Sequence, residues 1–185
     1  GAPRGGTIMP TFGTVCDGIG CGHLGFVQAG FACAWSFEIE PFPSAVLAYR
    51  FPDVTNHGDM LKCAGMVKAG EIEAPDVFIG GTPCQAFSVA GKRKGLEDER
   101  GILIFQVLCI LNEKQPKAFI LENVKGLLSI QGGEIYKMIV EKLENEGYKV
   151  YTKVLEAKDY GTPQLRKRLF FVGIRKDIDV EFTFP

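Results

Sequence analysis

Short apolar runs alternate along the chain with longer stretches whose apolar positions recur at helical spacing. The runs at 11–16, 32–37, 77–79, 118–121, 150–155 and 169–174 predict strands, and the stretches near 24–29, 43–49, 102–112 and 134–146 predict helices between them. Strand and helix in alternation imply a mostly parallel sheet with helices on both faces and ligands held at the carboxyl ends of the strands. No helical pattern separates the last two strands, which are therefore expected to form an antiparallel pair at one side of the sheet. No internal repeat, low-complexity tract or linker divides the chain. Residues 11–185 read as one domain, and the opening GAPRGG of residues 1–10 reads as an artificial leader or flexible tail.

Composition narrows the class. With 185 residues, 46% hydrophobic and 23% charged, the chain has the balance of a globular domain, not that of a disordered or collagen-like one. Its longest apolar stretch, 101–111, is too short and too interrupted to span a bilayer, and the start lacks a basic segment followed by an apolar core. The expected location is the cytoplasm. Residues 1–90 carry 4 Lys+Arg against 8 Asp+Glu, and residues 91–185 carry 17 against 14, so neither half is a bulk polyanion binder. A nucleic-acid partner would have to be held by a few placed cations or by protein outside these residues. The six cysteines form no Cys-x-x-Cys pair and have only His23 and His57 beside them, which gives no reason to expect a metal.

Several segments at or near predicted strand ends carry candidate chemistry. Cys16-Asp17-Gly18-Ile19-Gly20-Cys21-Gly22 is a glycine-rich turn into a helix, suited to close approach of a ligand or simply to tight packing. Glu38 follows about twenty residues on, where a carboxylate can accept the two ribose hydroxyls of a nucleoside cofactor. Asp59, in Gly58-Asp59-Met60, is placed to accept from an adenine amino group at the next strand end, or else lies in a surface turn. After the strand at 77–79 comes Gly80-Gly81-Thr82-Pro83-Cys84-Gln85-Ala86-Phe87-Ser88. The polar, glycine-bounded segment 91–101, with Lys92, Arg93, Lys94 and Arg100, comes next. A thiol there suits an exposed nucleophile under a closing lid, and a nearby cation would favour its thiolate. Glu122-Asn123-Val124 ends another strand, and Gln164-Leu165-Arg166-Lys167-Arg168 sets two arginines on one face of an extended segment. Taken singly, these last two also read as a helix-capping acid and a solvated basic edge.

In this order and spacing, the segments from about Thr11 to Arg175 resemble the DNA (cytosine-5) methyltransferases, especially the bacterial restriction-modification type. Gly80 to Ser88 is similar to the family's Pro-Cys motif, with 91–101 as its mobile loop. Glu122-Asn123-Val124 resembles the Glu-Asn-Val motif, and Gln164, Arg166 and Arg168 fit Gln-x-Arg-x-Arg. Cys16 stands where the family usually has an aromatic that packs against the cofactor adenine.

The resemblance implies a Rossmann-like methyltransferase fold with S-adenosyl-L-methionine as methyl donor and double-stranded DNA as substrate. The cofactor would meet Cys16, Gly18, Ile19, Gly20, Glu38, Asp59, Gly81 and Pro83, with Ile39 and Met60 flanking the adenine. Cys84, beside Pro83, would add to cytosine carbon 6 so that carbon 5 can attack the methyl group. Protonated Glu122, followed by Asn123, would stabilise ring nitrogen 3; Arg168 would clamp the ring carbonyl; Arg166 would support the thiolate or a phosphate. The base would be flipped out under the lid, where Gln85, Ser88, Lys92, Arg93, Lys94, Arg100 and Gln164 face DNA. The family's target-recognition region and cofactor-closing helix are expected from a further C-terminal segment or a complementing polypeptide. The implied setting is the cytoplasm of a bacterium or phage host, or the nucleus of a eukaryote. Two other readings share part of the pattern. One is a truncated or regulatory member that holds cofactor or a partner without catalysing. The other is a nicotinamide-dependent enzyme, which leaves Pro83-Cys84 and the paired arginines unexplained.

Overall fold

The computed structural model describes residues 9–81 and 101–185. Six strands form one sheet: β1 (Thr11–Val15), β2 (Ala32–Phe37), β3 (Val77–Gly81), β4 (Ala118–Val124), β5 (Tyr148–Glu156) and β6 (Lys167–Arg175). Their order is β2-β1-β3-β4-β6-β5. The first four in that order run parallel, as the alternating pattern predicts. A turn of Ala157–Tyr160 separates β5 from β6, too short for a crossover, so β6 runs antiparallel. It pairs with β4 as well as β5, and thus lies inside the sheet instead of at its edge. The helices are α1 (Cys21–Gln28), α2 (Pro41–Arg50), α3 (Cys63–Ala69), α4 (Gly101–Lys114) and α5 (Glu134–Asn145). Among the described residues no helix is long and apolar enough to cross a membrane.

Residues paired across a ladder point to the same face, so the register sorts the side chains. Val15, Trp35, Phe37, Phe78, Phe119, Leu121, Leu169 and Phe171 share a buried cluster with Cys63 and Val67 of α3, Val107, Ile110 and Leu111 of α4, and Ile139 and Leu143 of α5. On the other face Phe12 meets Phe26 and His23 of α1. Helices therefore cover both faces. Two glycines make this packing possible: a Cβ at Gly13 would overlap the Trp35 ring, and one at Gly173 the Phe119 ring. Burial of each such aromatic contributes roughly 1.5–3 kcal/mol.

Two differences from the sequence reading bear on the site. β4 continues through Val124 instead of ending at 121, so Glu122 and Asn123 are strand residues whose side chains alternate between faces. Asp59 does not end a strand. Asn56 makes a single parallel bridge to Ser36, and Asp59 caps a 3-10 turn, Met60–Lys62, by accepting from the Leu61 N–H at 2.9 Å. That turn runs into α3, a seven-residue helix of small side chains with Gly65 inside it, which gives no periodic signal.

Candidate active site

The turn between β1 and α1 is held by acids from below. Cys16 has φ +53° and Gly18 φ +58°, both left-handed; for the non-glycine residue this costs about 1–2 kcal/mol, so surrounding contacts must impose it. The Cys16 N–H donates to Phe37 O at 2.8 Å. The Gly18 N–H donates to Glu38 Oε2 at 2.7 Å, and the Glu40 N–H to Glu38 Oε1 at 2.8 Å. Glu38 is itself fixed by Asn56, which accepts from its N–H at 2.9 Å and donates to its carbonyl at 3.0 Å, and by the Ser44 hydroxyl, which donates to the same carbonyl. A buried carboxylate has about four acceptor sites, and backbone donors use two here, one on each oxygen. The donor set fits a nucleoside ribose, because acceptor capacity remains on both oxygens. Open space lies where a Gly18 side chain would be.

Ile39 stands exposed beside Glu38, while Met60 is buried in the core, where its sulfur accepts from the Cys16 thiol at 3.3 Å. Burial, then Glu38, then Asp59 push the Cys16 thiol up to about 12, so it stays protonated near neutrality and forms a wall, not a nucleophile. Ile19 is exposed at the tip of the turn. Gly20 leaves room for Leu47 and Phe51, which a Cβ would approach to 2.8 Å.

The second half of the site lies at the carboxyl end of β4. Glu122 faces Gly81 across one ladder and Phe170 across the other. Arg168 Nε donates to Glu122 Oε1 at 2.7 Å, and Arg166 Nη2 lies 3.7 Å from the same oxygen, so the alternate spacing does bring both guanidiniums to one acid. The pair is half-open to solvent. Asn123 is buried, with its Oδ1 accepting from the Val124 N–H at 2.8 Å, and Gln164 is exposed before β6. A cavity of about 340 Å³ opens beside Glu122, Arg166 and Arg168, walled by Leu155, Tyr160, Phe170 and Pro185. Pro185 reaches it because the tail doubles back along β5: Phe182 packs on Tyr151, Glu181 accepts from Lys149 and Tyr151, and Tyr160 donates to the Pro185 carbonyl at 3.0 Å. Gly81 joins the two halves, since a Cβ there would sit 3.3 Å from Cys16 O and 3.9 Å from Glu122 Oε2.

Pro83, Cys84, Gln85, Ser88, Lys92, Arg93, Lys94 and Arg100 lie outside the described residues. Sequence reasoning missed Asn56 and Ser44, which hold Glu38, and the buried Asp17–His23 contact beneath the turn. It also missed Tyr160 and the returning tail. For Asn56 and the Asp17–His23 contact the only signal is a polar residue near glycines, and Ser44, inside a helical stretch, carries none.

At 39% identity the chain is similar to Type II methyltransferase M.BsuFI of Bacillus subtilis, over 96% of this chain and 42% of that one. At 50% identity it is similar to a protein of Escherichia phage P1 named DNA N-6-adenine-methyltransferase, over 64% of this chain and 17% of that one. The fold matches Dnmt2 methyltransferase of S. pombe with a TM-score of 0.74 and 20% identity, over 94% of this chain and 53% of that one. The chain thus spans about half or less of the length of these relatives. Residues 11–185 match the family model described as C-5 cytosine-specific DNA methylase, and with Glu38 under the glycine turn and Glu122 against Arg168, the chain belongs to that family.

Proposed function

We propose that the protein transfers a methyl group to carbon 5 of cytosine in DNA through a covalent bond between Cys84 and the base. The observation that supports this best is the Glu122–Arg168 pair at the carboxyl end of β4, where Glu122 pairs in register with Gly81, which precedes Cys84 by three residues along the chain. S-adenosyl-L-methionine, when bound, supplies an electrophilic methyl group. Glu38 accepts its ribose hydroxyls, and the glycine turn, Cys16, Ile39 and Asp59 surround the rest.

Carbon 5 of cytosine is a poor nucleophile until a thiolate adds at carbon 6. The Cys84 sulfur forms that bond, and the electrons of the ring double bond become available at carbon 5. Glu122 donates to ring nitrogen 3 and the Arg168 guanidinium to the ring carbonyl, where negative charge collects. Carbon 5 takes the methyl group as the donor's carbon–sulfur bond breaks to leave a neutral thioether; a water-mediated base then removes the carbon 5 proton, the double bond re-forms, the thiolate leaves and ring nitrogen 3 gives its proton back to Glu122. The base must leave the duplex stack to reach these groups, at a cost of about a few kcal/mol. Target recognition is assigned to protein outside these 185 residues. The adenine specificity in the phage relative's name does not suit this site: the exocyclic nitrogen of adenine carries its own attacking lone pair and has no need of a thiolate, a Glu-Arg clamp or Pro83-Cys84.

The test is incubation of the protein, alone and with a polypeptide that supplies recognition, with S-adenosyl-L-methionine and duplexes containing 5-fluorocytosine. Fluorine blocks the final elimination. A denaturant-resistant adduct that maps to Cys84 is expected. Methylation without any adduct, or methyl transfer to adenine, overturns the reading.

A further inference from the structure

We propose that His23 is a positioning residue for the cofactor turn, acting through the buried carboxylate of Asp17. Asp17 stands between the two left-handed residues Cys16 and Gly18, so its side chain is the one fixed handle on the most constrained part of the turn. Its carboxylate is 2% exposed. His23 Nδ1 lies 3.0 Å from Asp17 Oδ2, and the Ser36 hydroxyl donates to the same oxygen at 3.4 Å. One acid thus ties the turn to the first turn of α1 and to the end of β2.

His23 is 1% exposed and is held flat by two rings: Phe51 stacks on it at 3.8 Å with an interplanar angle of 16°, and Phe12 meets it edge-on at 5.1 Å. Phe51 occupies the room that Gly20 leaves. Nε2 is buried without a hydrogen-bond partner among the described residues. An imidazole in an apolar sandwich, with one nitrogen unsatisfied, is a costly choice for packing alone. What it does provide is a donor to a buried anion, and among the described residues it is the one basic side chain within ion-pair distance of Asp17. With Asp17 held, the backbone that follows aims the Gly18 N–H at Glu38 and the Gly20 N–H at Asp17 O. His23 thereby sets the turn and the position of the ribose acceptor without touching the cofactor.

Two substitutions separate the hydrogen bond from the packing. His23→Phe keeps a flat ring between Phe12 and Phe51 and leaves Asp17 without its donor. His23→Asn places an amide N–H near the position of Nδ1 and gives up the stack. Amide hydrogen exchange in the cofactor-free protein, referred to the Ile120 amide in the central sheet, is expected to speed up at Gly18 and Gly20 at least about tenfold in the Phe variant and to stay within about threefold of wild type in the Asn variant, tenfold being the cost of one hydrogen bond to a charged group. Affinity for S-adenosyl-L-methionine, by calorimetry, is expected to follow the same order. Unchanged glycine amides in the Phe variant, or equal loosening in both variants, overturns the proposal. If the Phe variant fails to fold, Asp17→Asn, which keeps the shape and removes the charge, must loosen the same two amides. The affinity arm rests on the proposed function and the exchange arm does not. A wild-type protein that binds no cofactor even together with a polypeptide supplying the closing helix, yet shows this exchange pattern, would therefore refute the function and leave the positioning role standing.

Discussion

The two edges of the sheet use the same kinds of residue for opposite ends. At the amino edge, Asp76 accepts from the Thr11 N–H at 2.8 Å and from Lys117 Nζ at 2.8 Å, Tyr148 donates to the Pro116 carbonyl at 2.8 Å, and Arg175 pairs with Asp177 and donates to the Gln115 carbonyl. Each charge there is directed at a neighbouring strand or loop of the fold itself. At the carboxyl edge the side chains of Glu122, Arg166 and Arg168 pair with one another beside a cavity, and Arg168 Nη1 also donates to the Lys167 carbonyl at 2.9 Å. The lesson is that an ion pair at a strand end is informative through what else its members could serve. A guanidinium whose ion-pair partner is a partly exposed carboxylate gives up little by exchanging that carboxylate for another acceptor, because such pairs contribute about 0–1 kcal/mol to stability. The turn under Gly18 is intermediate: its acids hold backbone, yet keep acceptor capacity toward the open side.

This contrast can be broken by substitutions that should separate activity from stability. Cys84→Ser is expected to abolish methyl transfer, a loss of about a thousandfold or more, with the melting temperature unchanged, because a hydroxyl is far less ionised than a thiol near neutrality. Incorporation of a labelled methyl group measures this. Glu122→Gln should slow transfer by about a hundred- to ten-thousandfold, since the amide cannot pass a proton to the ring, with cofactor affinity kept; a rate within about twofold of wild type would assign that proton elsewhere. Glu38→Ala should weaken S-adenosyl-L-methionine binding by about 1–3 kcal/mol in calorimetry. It should also destabilise the turn, because Gly18 and Glu40 lose their acceptor.

Asp76→Asn tests the opposite edge and should leave activity untouched while costing about 1 kcal/mol of stability at pH 7. The Lys117 side chain, then the Thr11 N–H, hold the Asp76 carboxyl below its ordinary value of 3.8. A lowered folded-state value means that its stabilisation is complete above the ordinary carboxylate range and fades as pH falls through the folded value. Urea unfolding should therefore show the variant's deficit at pH 7 and not in strong acid. A deficit that is the same at both would mean that the charge plays no part.

Much of the fold was legible in the sequence because alternating apolar runs and helical stretches agree with one another over most of the chain. All six strands and four of the helices lie where the pattern puts them. α3 was not legible, since Cys63-Ala64-Gly65-Met66-Val67 buries only a few side chains and carries no periodic stripe. In the site, motif order pointed to Glu38, Glu122, Arg166 and Arg168, each of which lies in or beside a strand that the apolar pattern locates. The supporting residues were hidden for a physical reason. Asn56 and His23 act through side-chain hydrogen bonds to groups 18 and 6 residues away, and a polar residue beside glycines looks the same in sequence whether it faces water or a buried group.

The antiparallel strand β6 has one more consequence, for the order in which the molecule is completed. Among the described residues β5 pairs only with β6, and β4 has β6 as its partner on that side, so β6, which follows both in the chain, closes the gap between two strands already present. Arg168 travels on that strand. Until β6 is seated, Glu122 lies on an open sheet edge without its guanidinium, and the wall formed by Phe170 does not exist. Long-range pairings of this kind form late, after the cost of closing the loops has been met. A nascent or partly unfolded chain can thus carry a finished glycine turn while lacking the groups proposed to act on a base, so assembly of this edge reports that the six described strands are joined.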